Sequence, residues 1–171
     1  MNVYLALLLL FVLATVQSTL LPRLTIWGVH PELMLMAVIS WSILSGAEEG
    51  MLWALIGGIL LDLFSASHLG LHTIALLVVA FPSGFGQRTL FRSDLLMPLL
   101  IMPLATLGYE LVLLAGLYLT GWTASFRTTS FGVYFSQVVM PGVGANTLLI
   151  WPIYLLLRTV HRRLHRQEIT L

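Results

Sequence analysis

The chain has 171 residues, of which 58% are hydrophobic and only 9% charged, for a net charge of +1, and its mean hydropathy is +0.97. A soluble domain carries about 25% charged and about 45–50% apolar residues, so these totals exclude an ordinary soluble domain and point to a chain solvated by lipid. The balanced charge argues against a nucleic-acid surface, and the absence of cysteine removes disulfides, thiolate metal sites and a Cys nucleophile.

At about 20 residues per crossing, the length holds about six membrane helices and leaves no room for a soluble catalytic domain. Val3 to Leu21 is free of charge and reads as the first, helix 3–21. A signal peptide is the competing reading, but it wants a basic n-region and a small-residue cleavage site, and neither is present. After Pro22, Arg23, Gly28, His30 and Pro31, two short apolar segments share the window Leu33–Ser67, broken by Glu48 and Glu49; they are expected as helices 32–47 and 49–64. Such short segments fit two crossings or a re-entrant hairpin, and both leave the rest of the chain on the same side.

The loop from Ser65 to Gly70 leads into a fourth helix, expected over 71–87, whose apolar part ends near Phe81 where Pro82, Gly84 and Gly86 act as terminators. Ser93-Asp94 reads as a capping signal for a fifth, 94–120, which carries one charge, Glu110, and two prolines, Pro98 and Pro103. From Thr128 to Leu157 no Asp, Glu, Lys, Arg or His occurs, which suits an interfacial segment and a last helix, 134–157. Residues 1–157 thus form a single transmembrane helical domain, and 158–171 form a basic tail containing Arg158, Arg162, Arg163 and Arg166. With both termini in the cytoplasm, six arginines lie inside and only Arg23 and Arg127 outside, the bias that the positive-inside rule expects. The tail arginines suit anionic lipid headgroups. Trp27, Trp122 and Trp151 fall near predicted helix ends, as interfacial aromatics do.

Glu32, Glu48, Glu49 and Asp94 all lie at predicted helix N-termini, where the free N–H groups and the macrodipole favour a carboxylate. Glu168 belongs to the tail. Asp62 and Glu110 are then the carboxylates left at membrane depth, where each needs a compensating role: helix packing through hydrogen bonds, or binding a partner or substrate. Two such groups are too few for a proton relay. Gly50, Ala54, Gly58 and Asp62 recur every four residues, so small side chains line one stripe of the third helix, widened by Gly57; Leu60 is expected to face lipid. Gly142, Gly144 and Ala145 offer a second place of close approach. His68/His72 and His161/His165 have i,i+4 spacing but lack a third ligand, and no catalytic motif or cofactor signature is present.

The run from Gly57 to His72 resembles the MreD family of rod shape-determining proteins, in which a G-x-x-x-D-x-x-(S)-x-x-x-x-G pattern joins the third helix to the fourth; Gly58, Asp62, Ser65 and Gly70 match it. Asn146-Thr147-Leu148-Leu149-Ile150-Trp151-Pro152, followed by the arginine-rich tail, is similar to the family's closing helix. The resemblance implies an all-α, six-helix, non-enzymatic protein of the bacterial inner membrane, a component of the rod complex in peptidoglycan elongation. The implied partner is the bitopic protein MreC, with indirect links to MreB filaments, the RodA glycosyltransferase and a class B penicillin-binding transpeptidase. The family also looks like the substrate-binding subunits of energy-coupling-factor vitamin transporters, which supply a second reading: a small-molecule transporter subunit with a polar pocket at the outer side. Candidate packing or partner residues are Gly50, Ala54, Gly57, Gly58, Asp62, Gly70, Glu110 and Asn146.

Overall fold

The computed structural model describes residues 3–21, 28–65, 70–89, 96–119 and 131–168. Arg23, Trp27, His68, Arg92, the Ser93-Asp94 capping signal, Trp122 and Arg127 lie outside the described residues. The described residues form an all-helical bundle without a β-strand: α1 Val3–Thr19, α2 Leu33–Ser45, α3 Ala47–Phe64, α4 Leu71–Thr89, α5 Met97–Leu119, and a last helix, α6, over 131–168.

The outside of this bundle is apolar. Leu8 (64% exposed), Leu63 (66%), Leu104 (71%) and Leu148 (64%) project away from the core, one from each of four helices. A surface of that kind is a liability in water and the expected solvation of a protein in hydrocarbon. Two helices, Met97–Leu119 and Gly132–Arg162, are long and apolar enough to cross a membrane on their own, whereas Tyr4–Thr19, Leu33–Ser45 and Leu71–Phe85 are shorter apolar helices. Several hydroxyls on these helices are satisfied locally: Thr15, Ser18, Ser42, Ser83, Thr147 and Thr159 each donate to the carbonyl four residues earlier, whereas the buried Ser40 and Ser45 hydroxyls of α2 have no such bond. A hydroxyl bonded in this way can sit at membrane depth without a partner helix.

The centre of the bundle is α2, whose residues from Met34 to Ile43 are all buried and which touches all five other helices. At 1.5 Å per residue its 13 residues span about 20 Å, short of the roughly 30 Å hydrocarbon thickness, so α2 is surrounded by protein rather than by lipid over its length. It is separated from α3 by one residue, Gly46, whose φ of +94° breaks the helix and whose N–H still bonds back to the carbonyl of Ser42.

Three expectations need correction. Pro82, Gly84 and Gly86 do not stop α4, which runs through to Thr89; Gly84 instead lets α4 lie against the start of α3, where an added Cβ would come within 2.8 Å of the Ala47 Cβ. Leu60 is half-buried and packs on the core, while Ile59 (47% exposed) and Leu63 are among the outward-facing positions of α3. Gly142 is not a site of close approach, since an added Cβ there meets nothing within 4 Å.

The last helix also begins earlier and ends later than 134–157. Its parts are a single turn Phe131–Tyr134, a π-helical stretch Phe135–Val139, and Met140–Glu168. Pro141 explains the π stretch: its ring would collide with the carbonyl of Gln137 four residues back, so the turn widens and Met140 N–H bonds instead to the carbonyl of Phe135. The arginine-rich segment is no separate tail at its start, for Arg158 and Arg162 ride on the same helix and Arg163 and Arg166 continue it.

Candidate functional site

Polar side chains gather at one end of the bundle, where the C-termini of α1 and α3 meet the N-termini of α2 and α4. The N-terminus of α4 leaves N–H groups with no carbonyl on their own helix, and α3 supplies the acceptor. Asp62, 3% exposed, takes the backbone N–H of Gly70 at 2.9 Å, of His72 at 2.9 Å and of Thr73 at 3.2 Å, and the Thr73 hydroxyl at 2.6 Å. It is a helix cap supplied from a neighbouring helix, and its negative charge lies at the positive end of the α4 dipole. Two glycines make this geometry possible. Gly70 has φ +97°, which turns its N–H and the following first turn toward the carboxylate. Gly58, one helical turn before Asp62, faces the Thr73 backbone; a Cβ at Gly58 would come within 2.9 Å of Thr73 Oγ1 and 3.0 Å of its Cβ, and closer still to its Cα.

The rest of the small-residue stripe is used inside the chain as well. A Cβ at Gly50 would come within 2.7 Å of the Ser42 Cβ, and one at Gly57 within 2.7 Å of the Met34 sulfur, both on α2; Ala54 is fully buried. Gly50 and Gly57 thus admit α2, and Gly58 admits α4.

Beside this cap lies a second network, of which the sequence singled out only Asn146 and Glu110. Gln17 of α1 bridges two groups: its side-chain oxygen accepts the N–H of Met34 at 2.7 Å, and its amide nitrogen donates to the Glu32 carboxylate. Glu32 N–H donates to Asn146 Oδ1 of α6 at 3.0 Å, and Asn146 Nδ2 reaches the Thr106 hydroxyl of α5 at 3.4 Å. Asn146 is 1% exposed, so one side chain at the helix crossing joins three elements. Tyr109, fully buried, pairs with His72 Nδ1 at 2.8 Å, and Glu110 bonds to Tyr134 on the first turn of α6.

The placing of Glu32 departs from the expectation. It stands at the N-cap position of α2 but makes no side-chain capping bond; its carboxyl is drawn to Gln17 and sits within electrostatic reach of Glu110. Burial and the Glu110 charge push it up to about 8, with the Gln17 bond opposing them. Asp62 and Glu110 are therefore joined by a third inward carboxyl. Glu48 and Glu49 do lie in the first turn of α3, and Glu49 in addition accepts the Trp41 indole N–H at 3.0 Å.

At the opposite end, Trp41 and Trp53 stack at 4.4 Å with planes 7° apart, and His161 from the arginine-rich part of α6 meets Trp41 edge-on at 5.4 Å. Arg158 is half-buried and Arg162 exposed there.

The polar end also holds a half-open cleft of about 270 Å³, lined by Gln17, Ser18, Leu21, His30, Glu32, Phe64, Ser65 and His72 among others. Among the described residues no three His, Cys, Asp or Glu side chains are placed to share a metal ion.

These contacts give the sequence motif a physical meaning: glycine for the approach of α4, aspartate to cap it, glycine to turn into it. A family model described as rod shape-determining protein MreD matches residues 1–160. The chain belongs to the MreD family. The match covers α1 to α5 and α6 to Val160, so both the motif end and the Trp41 end lie within it. MreD proteins are membrane proteins with a role in determining rod shape, and they are not known as enzymes. No curated protein and no solved structure matches the chain.

Proposed function

We propose that this MreD-family chain is an inner-membrane scaffold of the bacterial rod-shape and cell-wall elongation complex, crossing the membrane six times with both termini in the cytoplasm. It binds the bitopic protein MreC and through it couples MreB filaments to RodA and a class B penicillin-binding transpeptidase. The family match carries this reading. Two features of the chain support it: Asp62 and Glu110 are hydrogen-bonded within the bundle, and the outer surface is apolar, as suits helix association in lipid. Gly50, Ala54, Gly57, Gly58, Asp62 and Gly70 act in this reading by holding α2, α3 and α4 together, and Glu110 and Asn146 by tying α5 and α6. The arginines of the last helix, Arg158, Arg162, Arg163 and Arg166, rest against anionic headgroups on the cytoplasmic side.

The transporter reading is less well supported. A cleft of about 270 Å³ falls below the roughly 300–1,000 Å³ of sites that enclose a whole drug-sized ligand.

The test is purification of the tagged chain from its host. A bitopic MreC-like partner is expected to co-purify, and depletion of the chain is expected to round the cells; retention of rod shape, with no such partner captured, overturns the proposal. Because the chain has no cysteine, single cysteines placed at Ser65 and Thr159 report the sidedness cleanly: Ser65 is expected to label from outside and Thr159 from inside only.

A further inference from the structure

The cleft at the polar end combines two kinds of wall. One is polar: Glu32, Gln17, Ser18, Ser65 and the imidazoles of His30 and His72. The other is apolar: Leu21, Pro31, Leu61 and Phe64. Phe64 belongs also to the outside of the bundle, being 44% exposed and packed edge-on against the half-exposed Phe11 of α1 at 5.9 Å. The apolar wall therefore continues into the lipid-facing surface between α1 and α3.

The polar wall has unused capacity. Gln17 is committed on both its atoms, and the Ser18 hydroxyl is returned to the carbonyl of Ala14. Glu32 accepts from Gln17 through one oxygen, and no cation stands opposite it among the described residues. His30 donates its Nδ1–H to the carbonyl of Leu21, which leaves Nε2 of the neutral ring as an acceptor, whereas His72 Nδ1 can accept the Tyr109 hydroxyl and leave Nε2–H as a donor; neither Nε2 has a partner among the described residues. A carboxylate and an imidazole lone pair attract an ammonium; an imidazole N–H attracts an anionic oxygen.

We propose that this cleft receives the head group of an aminophospholipid, its ammonium on Glu32 and His30 Nε2 and its phosphate on His72 Nε2–H, with the acyl chains leaving past Phe64 along α1 and α3. The volume suits a head group rather than a whole amphiphile. A soluble zwitterion offers the same polar chemistry, but it makes no use of the apolar wall or of its continuity with the lipid face. The high position of the Glu32 carboxyl is the expected state of a carboxylate still lacking its cation, and an ammonium beside it would reverse that shift. The inference rests on the membrane placement proposed above and is independent of the MreC partner.

The test uses the full chain, purified and exposed to mixed vesicles of phosphatidylethanolamine and phosphatidylglycerol with identical acyl chains, with retained lipid counted by native mass spectrometry. Phosphatidylethanolamine is expected to be retained about tenfold over its share, the scale of one charge-assisted hydrogen bond. Glu32→Gln is expected to remove the preference. Because that change also touches the Gln17 bond, Ser18→Leu serves as a second variant: it fills the cleft, removes only a hydroxyl that served its own helix, and is expected to abolish retention in a protein of normal stability. Equal retention of the two lipids, or a preference that survives Ser18→Leu, overturns the proposal. Displacement of the lipid by an equal concentration of soluble phosphoethanolamine overturns the lipid as the occupant. Capture of the bitopic partner, measured in the same preparations, separates this inference from the scaffold reading: partner without lipid preference refutes the inference alone, and lipid preference without partner refutes the scaffold alone.

Discussion

Replacing Asp62 by alanine removes the acceptor of three backbone N–H groups and one hydroxyl at once. Hydrogen bonds to a charged group contribute about 1.5–3 kcal/mol each, but the four share one carboxylate and do not add. Removing one side of a buried charged contact costs about 3–5 kcal/mol, and two features favour the low end here. The Thr73 hydroxyl can turn to a carbonyl of its own helix, and first-turn N–H groups near the membrane surface can recruit water. About 3 kcal/mol is then the expected loss, or roughly 6–12 °C in melting temperature at ~2–4 °C per kcal/mol for a chain of this size. The assay is thermal unfolding in mild detergent, followed by tryptophan fluorescence, to which the stacked Trp41–Trp53 pair contributes. Asp62→Asn, which keeps one acceptor oxygen, is expected to fall between alanine and the native protein. A melting temperature within about 2 °C of native for Asp62→Ala would refute the cap. If partner capture were lost at that unchanged stability, Asp62 would act on a partner and not on α4.

The remaining predictions concern the approach of α4 and the third inward carboxyl. Gly58→Ala is expected to cost about 1–3 kcal/mol, because the obstacle is the Thr73 backbone and not the end of a flexible side chain. Leucine at Ile59, on the lipid-facing side of the same turn, is expected to be neutral; equal effects in the melting assay would remove the packing argument. For Glu32 the folded-state value of about 8 lies above the ordinary carboxyl value of 4.5, so the folded form binds its proton more tightly. The stabilisation is fully present below pH 4.5 and is lost progressively as pH rises to about 8. The groups facing it are Gln17 on α1, Glu110 and Tyr109 on α5, Tyr134 on α6, and the cleft imidazoles His30 and His72. Melting temperature is expected to fall between pH 5 and pH 8 and Glu32→Gln to flatten that slope; a native slope retained in the variant contradicts the assignment.

Part of the site was legible because its signal is local. Gly58, Asp62 and Gly70 lie within thirteen residues of one another, and their spacing marks a helix with a small-residue face, followed by a turn. Gln17, Glu32, Thr106, Tyr109 and Asn146 come from α1, α5, α6 and the approach to α2, and no periodicity links positions more than a hundred residues apart such as Glu32 and Asn146. Glu32 was misread for a related reason: a carboxylate before a helix looks like a cap, and only the position of Gln17 draws it inward. Pro82 and Gly84 were misread as terminators because a proline and a glycine do end helices in water. In lipid, breaking a helix exposes backbone groups that nothing satisfies, so α4 continues through them.

The sequence by itself determined the solvent and the class of fold. An apolar chain with long uncharged runs, interrupted at depth by few charges such as Glu110, satisfies its backbone in a bilayer most directly as helices, whatever their arrangement. It also marked a stripe of small residues on α3 as a place of close approach, without naming the helix that meets it. The tertiary structure alone decided that α2 is the enclosed helix, that the small-residue stripe is divided between α2 and α4, and that a carboxyl, two imidazoles and an aromatic edge line one cleft. Each follows from contacts across the bundle, where direction depends on how helices cross and not on the residues of any one of them.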